Sequence, residues 1–230
     1  MRGYACGPVA IIEEIWRYPV KSMAGERLQT CQAGEHGLED DRRWALIDGA
    51  PNRAGKLLTI RQHEGLMTYQ ARLAGDGVEV LTPNGEVRPL DGRLVGKLAA
   101  EAGRPLQVRD LAGSNFDDSP VLIVNLASVR AFAAEAGQAV DHRRFRANLY
   151  VDGLGPEQEL EWLGRRIEAG GAELEAVLRC ERCVVITRDP ETTATSPEFL
   201  RLLAEAHETC MGVYCRVTRP GRLAVGDRVG

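Results

Sequence analysis

The chain has 230 residues, 44% of them hydrophobic and 27% charged, with 29 basic and 33 acidic side chains giving a net charge of −4. That size suits one large domain or two small ones sharing a core, and the acidic balance excludes a general nucleic-acid binder, which carries a basic excess. Aromatic residues make up only 5%, so the core must rest on Leu, Val, Ile and Ala.

No apolar run approaches the roughly 20 residues needed to cross a bilayer. The N-terminus meets Glu13 and Glu14 too soon for a secretory signal, so a cytoplasmic protein without membrane or nucleic-acid partners is expected. Six cysteines (Cys6, Cys31, Cys180, Cys183, Cys210, Cys215) are too sparse for a disulfide scaffold.

In chain order, residues 9–20 read as a strand ending at Pro19, which lacks a backbone donor. Short strands are predicted at 44–48, 57–60 and 78–81, the last before Pro83-Asn84-Gly85, a hairpin signal. Residues 1–95 thus read as a small β-rich unit. A helix is expected around 94–103 and a strand over 105–111. The turn-rich segment from Gly113 to Pro120 is the candidate domain boundary. Beyond it come a buried-looking strand at 121–125 and a helix over 127–136, with Asn125 or Ser128 near its start and Gly137 as its stop. Strands are then predicted at 148–151, 166–168, 173–178 and 184–187. A last helix spans 197–207, with Ser196 as cap and Pro197 in its first turn. The tail, 212–229, returns to strands broken at Pro220-Gly221. The pattern is mixed α/β and β-rich: a β-barrel-like unit, then a second barrel with a few packed helices.

Three groups of residues could carry chemistry. Cys180-Glu-Arg-Cys183 places two sulfurs beside Arg179 and Arg182, and cationic neighbours stabilise a thiolate. Joined to Cys210 and Cys215 the pattern reads C-x2-C-x26-C-x4-C with His207 to spare, which a structural zinc site could use. A thioredoxin-like centre needs the pair at a helix start, whereas a strand is predicted after Cys183. Buried apolar packing is the plainer reading for Cys6, Cys31, Cys210 and Cys215. Second, Lys21-Ser22 follows a strand end, where one ammonium and one hydroxyl can hold a phosphate, or form a solvated turn. Third, Arg42, Arg43, Arg61, Arg143, Arg144 and Arg146 flank strands. They suit either an anion pocket or ion pairs with Glu39, Asp40, Asp41 and Asp141. The histidines show no metal-ligand spacing, and no GxSxG, P-loop or GxGxxG occurs.

Taken in order, the segments resemble the MOSC superfamily in its two-part form, over nearly the whole chain. They are most similar to the molybdenum amidoxime-reducing proteins and bacterial N-hydroxylated-compound reductases. The carriers are Trp16–Ser22, Gly37–Trp44, Leu58–Gln62, Arg144–Asn148, Glu161–Arg165, Arg179–Cys183, Asp189-Pro190, Met211–Tyr214 and Gly226-Asp227. One departure is Ala147, where the family usually has proline.

The resemblance implies an N-terminal MOSC-associated β-barrel domain over residues 1–112 and a MOSC domain over 113–230. It implies a molybdenum cofactor (molybdopterin) whose metal is ligated by Cys183, with Cys180 a neighbour. Lys21 and Ser22 match the phosphate-holding segment. Arg42, Arg61, Arg144, Arg146 and Asn148 match cofactor-lining positions, and Asp118, Ser119 and Ser128 lie in a region expected nearby. The implied reaction removes oxygen from N-hydroxylated compounds: amidoximes, hydroxylamines or hydroxylated base analogues. No cysteine set remains for an iron–sulfur cluster, so electrons are expected from a separate partner of ferredoxin, flavodoxin or cytochrome/flavin reductase type. Two other outcomes stay open: a non-catalytic carrier of cofactor or sulfur, and the zinc module. Pyridoxal phosphate binding stands as a superfamily-level possibility.

Overall fold

The computed structural model describes residues 9–112 and 115–230; Cys6, Gly113 and Ser114 lie outside them. In chain order the first half holds β1 (Ala10–Arg17), β2 (Glu26–Leu28), β3 (Thr30–Gly34), β4 (Gly37–Leu38), β5 (Trp44–Asp48), β6 (Gln70–Ala74), β7 (Gly77–Leu81), β8 (Val87–Pro89), α1 (Gly92–Ala102) and β9 (Leu106–Asp110). The second holds β10 (Val121–Asn125), α2 (Leu126–Ala136), β11 (Leu149–Asp152), β12 (Arg166–Ala169), β13 (Ala172–Glu181), α3 (Pro197–Ala206), β14 (Cys210–Arg219), β15 (Gly221–Ala224) and β16 (Arg228–Val229).

The main sheet runs β11-β10-β14-β13-β12-β16-β1-β2, and pairing of β1 with β11 closes it into a barrel. The first strand of the chain therefore completes a barrel otherwise built from the second half, in register Ile12 with Val151 and Ile15 with Leu149. Closure removes the free edges an open sheet would expose.

Every residue of β10 is buried, which explains its unbroken apolar run. Val121 and Ile123 point into the barrel with Ile12, Leu149, Leu174 and Val213. Leu122 and Val124 point outward against Phe132 of α2 and Phe199 and Leu203 of α3. A third core, around Leu46, Leu58, Leu66, Val80 and Leu98, fills the N-terminal sheets beneath α1.

The helix signals hold. Asp91 and Asn125 cap α1 and α2 through side-chain oxygens, and Gly103 and Gly137 end them in left-handed conformations. The Pro83-Asn84-Gly85 turn joins β7 to β8, with Leu81 paired to Val87. Ser196 sits at the start of α3 but makes no capping hydrogen bond.

Two strand expectations fail. Residues 184–187 form one turn of 3-10 helix, closed by Ile186 N–H donating to the Cys183 carbonyl at 3.2 Å. The composition of this run favours a strand, but its backbone bonds are spent within the turn, and pairing begins only at the bridge of Arg188 with Thr195. Residues 57–60 make a single bridge, Ile47 with Leu57, before a turn in which the Gln62 side chain accepts from Thr59 N–H at 3.0 Å.

Candidate functional site

The pocket is built where three chain segments are laced together. Val20 bridges to Trp44, Lys21 N–H donates to the Trp44 carbonyl at 2.8 Å, and Arg42 N–H donates to the Tyr18 carbonyl at 2.7 Å. Asp41, 5% exposed, accepts from Tyr18 N–H at 2.7 Å. From the second half, Asn148 reaches the same carboxylate with Nδ2 at 3.0 Å and accepts from Leu122 N–H on β10. Residues 18–22, 41–44 and 144–148 thus form one framework under the pocket floor.

Ser22, Arg42 and Arg146 all have left-handed backbones, with φ of 75°, 52° and 52°. Non-glycine residues hold that conformation at some cost, offset here by the surrounding hydrogen bonds. Arg42 donates to the Arg146 carbonyl at 3.1 Å, and both guanidiniums lie over the Tyr18 ring, 4.8 and 4.5 Å from its centre. Burial, with Arg42 alongside, lowers the Arg146 pKa from its ordinary value.

The opposite wall is the end of β13. Cys180, Arg182 and Cys183 line the pocket together with Lys21, Ser22, Arg42, Arg61, Asp117, Asp118, Arg146 and Tyr214. Cys180 is buried, and Arg182 donates to its sulfur at 2.8 Å and to the Phe145 carbonyl at 2.7 Å. The Arg182 Nε is buried without a partner. Cys183 is partly exposed, at the head of the 3-10 turn, and Arg61 donates to its sulfur at 3.4 Å. That hydrogen bond to the sulfur raises the Arg61 pKa from its ordinary value. Tyr214, beside Cys180, stays protonated because burial, reinforced by the neighbouring sulfur, raises its pKa.

Five cationic side chains (Lys21, Arg42, Arg61, Arg146, Arg182) therefore face three acidic ones (Asp117, Asp118, Glu181). In a chain of net charge −4, this is a local reversal of sign. It suits an anionic ligand, and it sets one accessible sulfur among the cations.

Of the expected site residues, Lys21, Ser22, Arg42, Arg61, Asp118, Arg146 and Cys183 converge on this pocket. Four do not line it. Arg144 is buried against Asp189 at 3.1 Å and lies over the Phe199 ring. Asn148 acts from beneath, through Asp41 and Arg42. Ser119 lines a small adjoining cavity with Arg42, Asp117 and Tyr214, and donates to the Cys215 carbonyl at 3.1 Å. Ser128, on the first turn of α2, donates to Glu159 at 2.9 Å, so its hydroxyl belongs to a separate buried network. Arg182 and Tyr214 were not singled out as site residues by sequence. Arg182 was visible beside the cysteines, but only the barrel brings Tyr214 of β14 against Cys180.

The zinc arrangement does not assemble. Cys215 points into the barrel interior, whereas Cys180 packs in the helix-facing core. Burial raises the pKa of Cys215 and Cys210, and pushes Cys31 up to about 12, as for packed thiols. His207 is held by Glu135 and Glu157. Among the described residues no group of three or more His, Cys, Asp or Glu side chains is arranged to hold a metal ion, and no helix is long and apolar enough to cross a membrane.

The sequence matches two domain families: the MOSC N-terminal β-barrel domain over residues 9–119 and the MOSC domain over residues 108–230. Similar proteins include the mitochondrial amidoxime-reducing component 1 of Homo sapiens, 24% identical across 96% of this chain and 82% of that protein. Another is a molybdenum cofactor sulfurase of Caenorhabditis elegans, 25% identical across 90% of this chain but only 33% of that protein. Among solved structures, the YuaD protein from Bacillus subtilis superposes with a TM-score of 0.54 at 15% identity, covering 96% of this chain and 94% of that one. That likeness carries the fold alone. With more than half its length matched, the chain belongs to the MOSC domain family, with the MOSC N-terminal β-barrel domain preceding it.

Proposed function

We propose that this protein is a molybdenum-cofactor-dependent reductase that removes oxygen from N-hydroxylated compounds, such as amidoximes, hydroxylamines and hydroxylated base analogues. Its electrons would come from a separate protein of ferredoxin, flavodoxin or cytochrome/flavin reductase type. The carrying observation is the pocket's donor set: one partly exposed thiol, Cys183, facing a cluster of cations around Lys21 and Ser22. A soft thiolate suits molybdenum, and a lysine, a hydroxyl and arginine forks suit a phosphate. Relatives named as amidoxime-reducing components support the reaction class.

In this reading Lys21, Ser22, Arg42 and Arg146 hold the cofactor's phosphate, and Cys183 ligates the metal. When bound, the cofactor supplies the two-electron chemistry that cleavage of an N–O bond requires. The chain's own part is positional. Arg61 fixes the Cys183 side chain from the Thr59–Gln62 turn, and Arg182 packs Cys180 into the wall. Tyr214 keeps a hydroxyl proton to offer as a hydrogen bond within the pocket. Asp118, an exposed residue of the pocket lining, would face incoming substrate.

A second reading, delivery of cofactor or sulfur to another enzyme, is favoured by the matches to molybdenum cofactor sulfurases. Both readings are tested on protein made in a cofactor-competent host. The wild type should carry near-stoichiometric molybdenum by mass spectrometry, Cys183→Ser should lose it, and Cys180→Ser should retain it. The loaded wild type should reduce an amidoxime with a reduced dye as donor. Stable molybdenum without turnover, but with transfer to an acceptor apoenzyme, would favour the carrier; metal loss in all cysteine variants alike would sink the Cys183 assignment.

A further inference from the structure

The ammonium of Lys21 is already engaged. It donates to the Asn115 carbonyl at 2.5 Å and to Asp117 Oδ1 at 2.8 Å. The Asp117 carboxylate also feels the charges of Arg42 and Arg61, so it stands where the fields of three pocket cations meet. That is the position an incoming anion would take.

Asp117 is not a strut for its own segment. Its backbone is pinned on either side: Asn115 Nδ2 donates to the Arg42 carbonyl at 3.1 Å, and Ser119 Oγ donates to the Cys215 carbonyl at 3.1 Å. The Asp117 side chain is 56% exposed, and among the described residues its ion pair is with Lys21. It is free to swing into solvent without disturbing that backbone.

We propose that Asp117 is a displaceable counter-ion, which occupies the pocket's anion position until a phosphate-bearing ligand takes Lys21 from it. The inference rests on the reading of Lys21 and Ser22 as the phosphate seat, and not on any metal at Cys183. A lysine ammonium has three donors, and two are used by Asn115 and Asp117. A phosphate on the third would lie against a like charge, and at such separations unit charges repel strongly in a half-buried site. The carboxylate must leave, or the affinity must fall. Monovalent anions, with less charge to exchange for it, are thereby excluded, and the seat is reserved for multiply charged groups. Asp117 is in this sense a specificity-determining residue.

The test is calorimetric titration of inorganic phosphate and pyrophosphate into cofactor-free protein at low ionic strength. The proteins are the wild type, Asp117→Asn, Asp117→Glu and Lys21→Met. Asp117→Asn should bind about tenfold more tightly than wild type, as expected for removing one nearby like charge. Asp117→Glu should bind as the wild type does, and chloride should compete better in Asp117→Asn. Lys21→Met should lose the binding. Equal or weaker binding by Asp117→Asn, with Lys21→Met still defective, would overturn this inference alone. Binding unaffected by Lys21→Met would overturn the phosphate seat as well. Thermal melting of each variant identifies any that fails to fold, and Asp117→Ala then replaces Asp117→Asn.

Discussion

Asn148 Nδ2 donates to the buried carboxylate of Asp41 at 3.0 Å, across 107 positions of sequence. The same amide accepts from Leu122 N–H at 3.1 Å and from Arg42 at 3.3 Å, and donates to the Trp16 carbonyl at 3.3 Å. Strand β1, strand β10 and the pocket arginine therefore share one side chain that is 1% exposed.

Asn148→Ala should accordingly act in two places. It leaves Asp41 and Leu122 N–H short of partners in a dry site, which costs about 2–4 kcal/mol. It also removes one of the contacts that orient Arg42, leaving those to Asp41 and the Arg146 carbonyl, so phosphate affinity should fall modestly even in protein that is fully folded. Urea denaturation measures the first effect and calorimetric titration the second. Wild-type affinity in a destabilised variant would show that Arg42 is held by other means.

Ser128 offers a contrast. Its hydroxyl donates to both oxygens of Glu159 and accepts from Glu157 N–H at 2.9 Å, while Asn125 Nδ2 donates to the same carboxylate at 3.0 Å. Burial raises the Glu159 pKa despite these bonds. Ser128→Ala should lower stability by about 1–3 kcal/mol, the cost of a buried acceptor losing its donor, and leave phosphate binding unchanged. A variant stable in urea but unable to take phosphate would return Ser128 to the site.

The features legible in sequence were local. Asn125 and Gly137 bracket α2, Asn84-Gly85 makes its turn, and the apolar run at β10 announces burial on two faces. The misreadings arose where partners are remote. β6, Gln-Ala-Arg-Leu-Ala, carries no β-branched residue and is a strand because β7 pairs along its whole length. Val184–Thr187 has the composition of a strand, but its backbone bonds close locally. The pocket was half visible. Lys21, Arg42 and Cys183 could be named from their neighbours. That β1 closes the second barrel, bringing Tyr18 beneath both arginines, depends on pairings that no local pattern encodes.

Gly212 shows how tightly β14 is seated beside the pocket wall. Its φ is +83°, and an added Cβ would stand 2.5 Å from the Ile123 carbonyl oxygen and 2.7 Å from Val124 Cγ2. Neither backbone nor a branched core side chain can yield cheaply. Gly212→Ala should destabilise the protein by about 2–3 kcal/mol, which a denaturant midpoint reports. An unchanged midpoint would mean that β14 relaxes around Gly212.

His207 gives the fold a pH dependence of predictable sign. The ring is 12% exposed, with Nδ1 against Glu157 and Nε2 against Glu135, each at 2.7 Å. Its carbonyl accepts from Arg179, whose charge is paired with Glu208, and Phe132 packs edge-on against the ring. Burial disfavours the imidazolium, but the two carboxylates outweigh it, and the pKa is raised above its ordinary value. A raised folded-state pKa means that the stabilisation is complete below the unfolded pKa of about 6.5. It fades as pH rises through the higher folded value. The melting temperature of wild type should therefore exceed that of His207→Gln by a few degrees near pH 5.5–6, roughly 1 kcal/mol at this chain length. The gap should narrow steadily toward pH 9. A gap independent of pH would show that His207 acts by packing on Phe132 alone, and a gap that widened with pH would reverse the sign argued here.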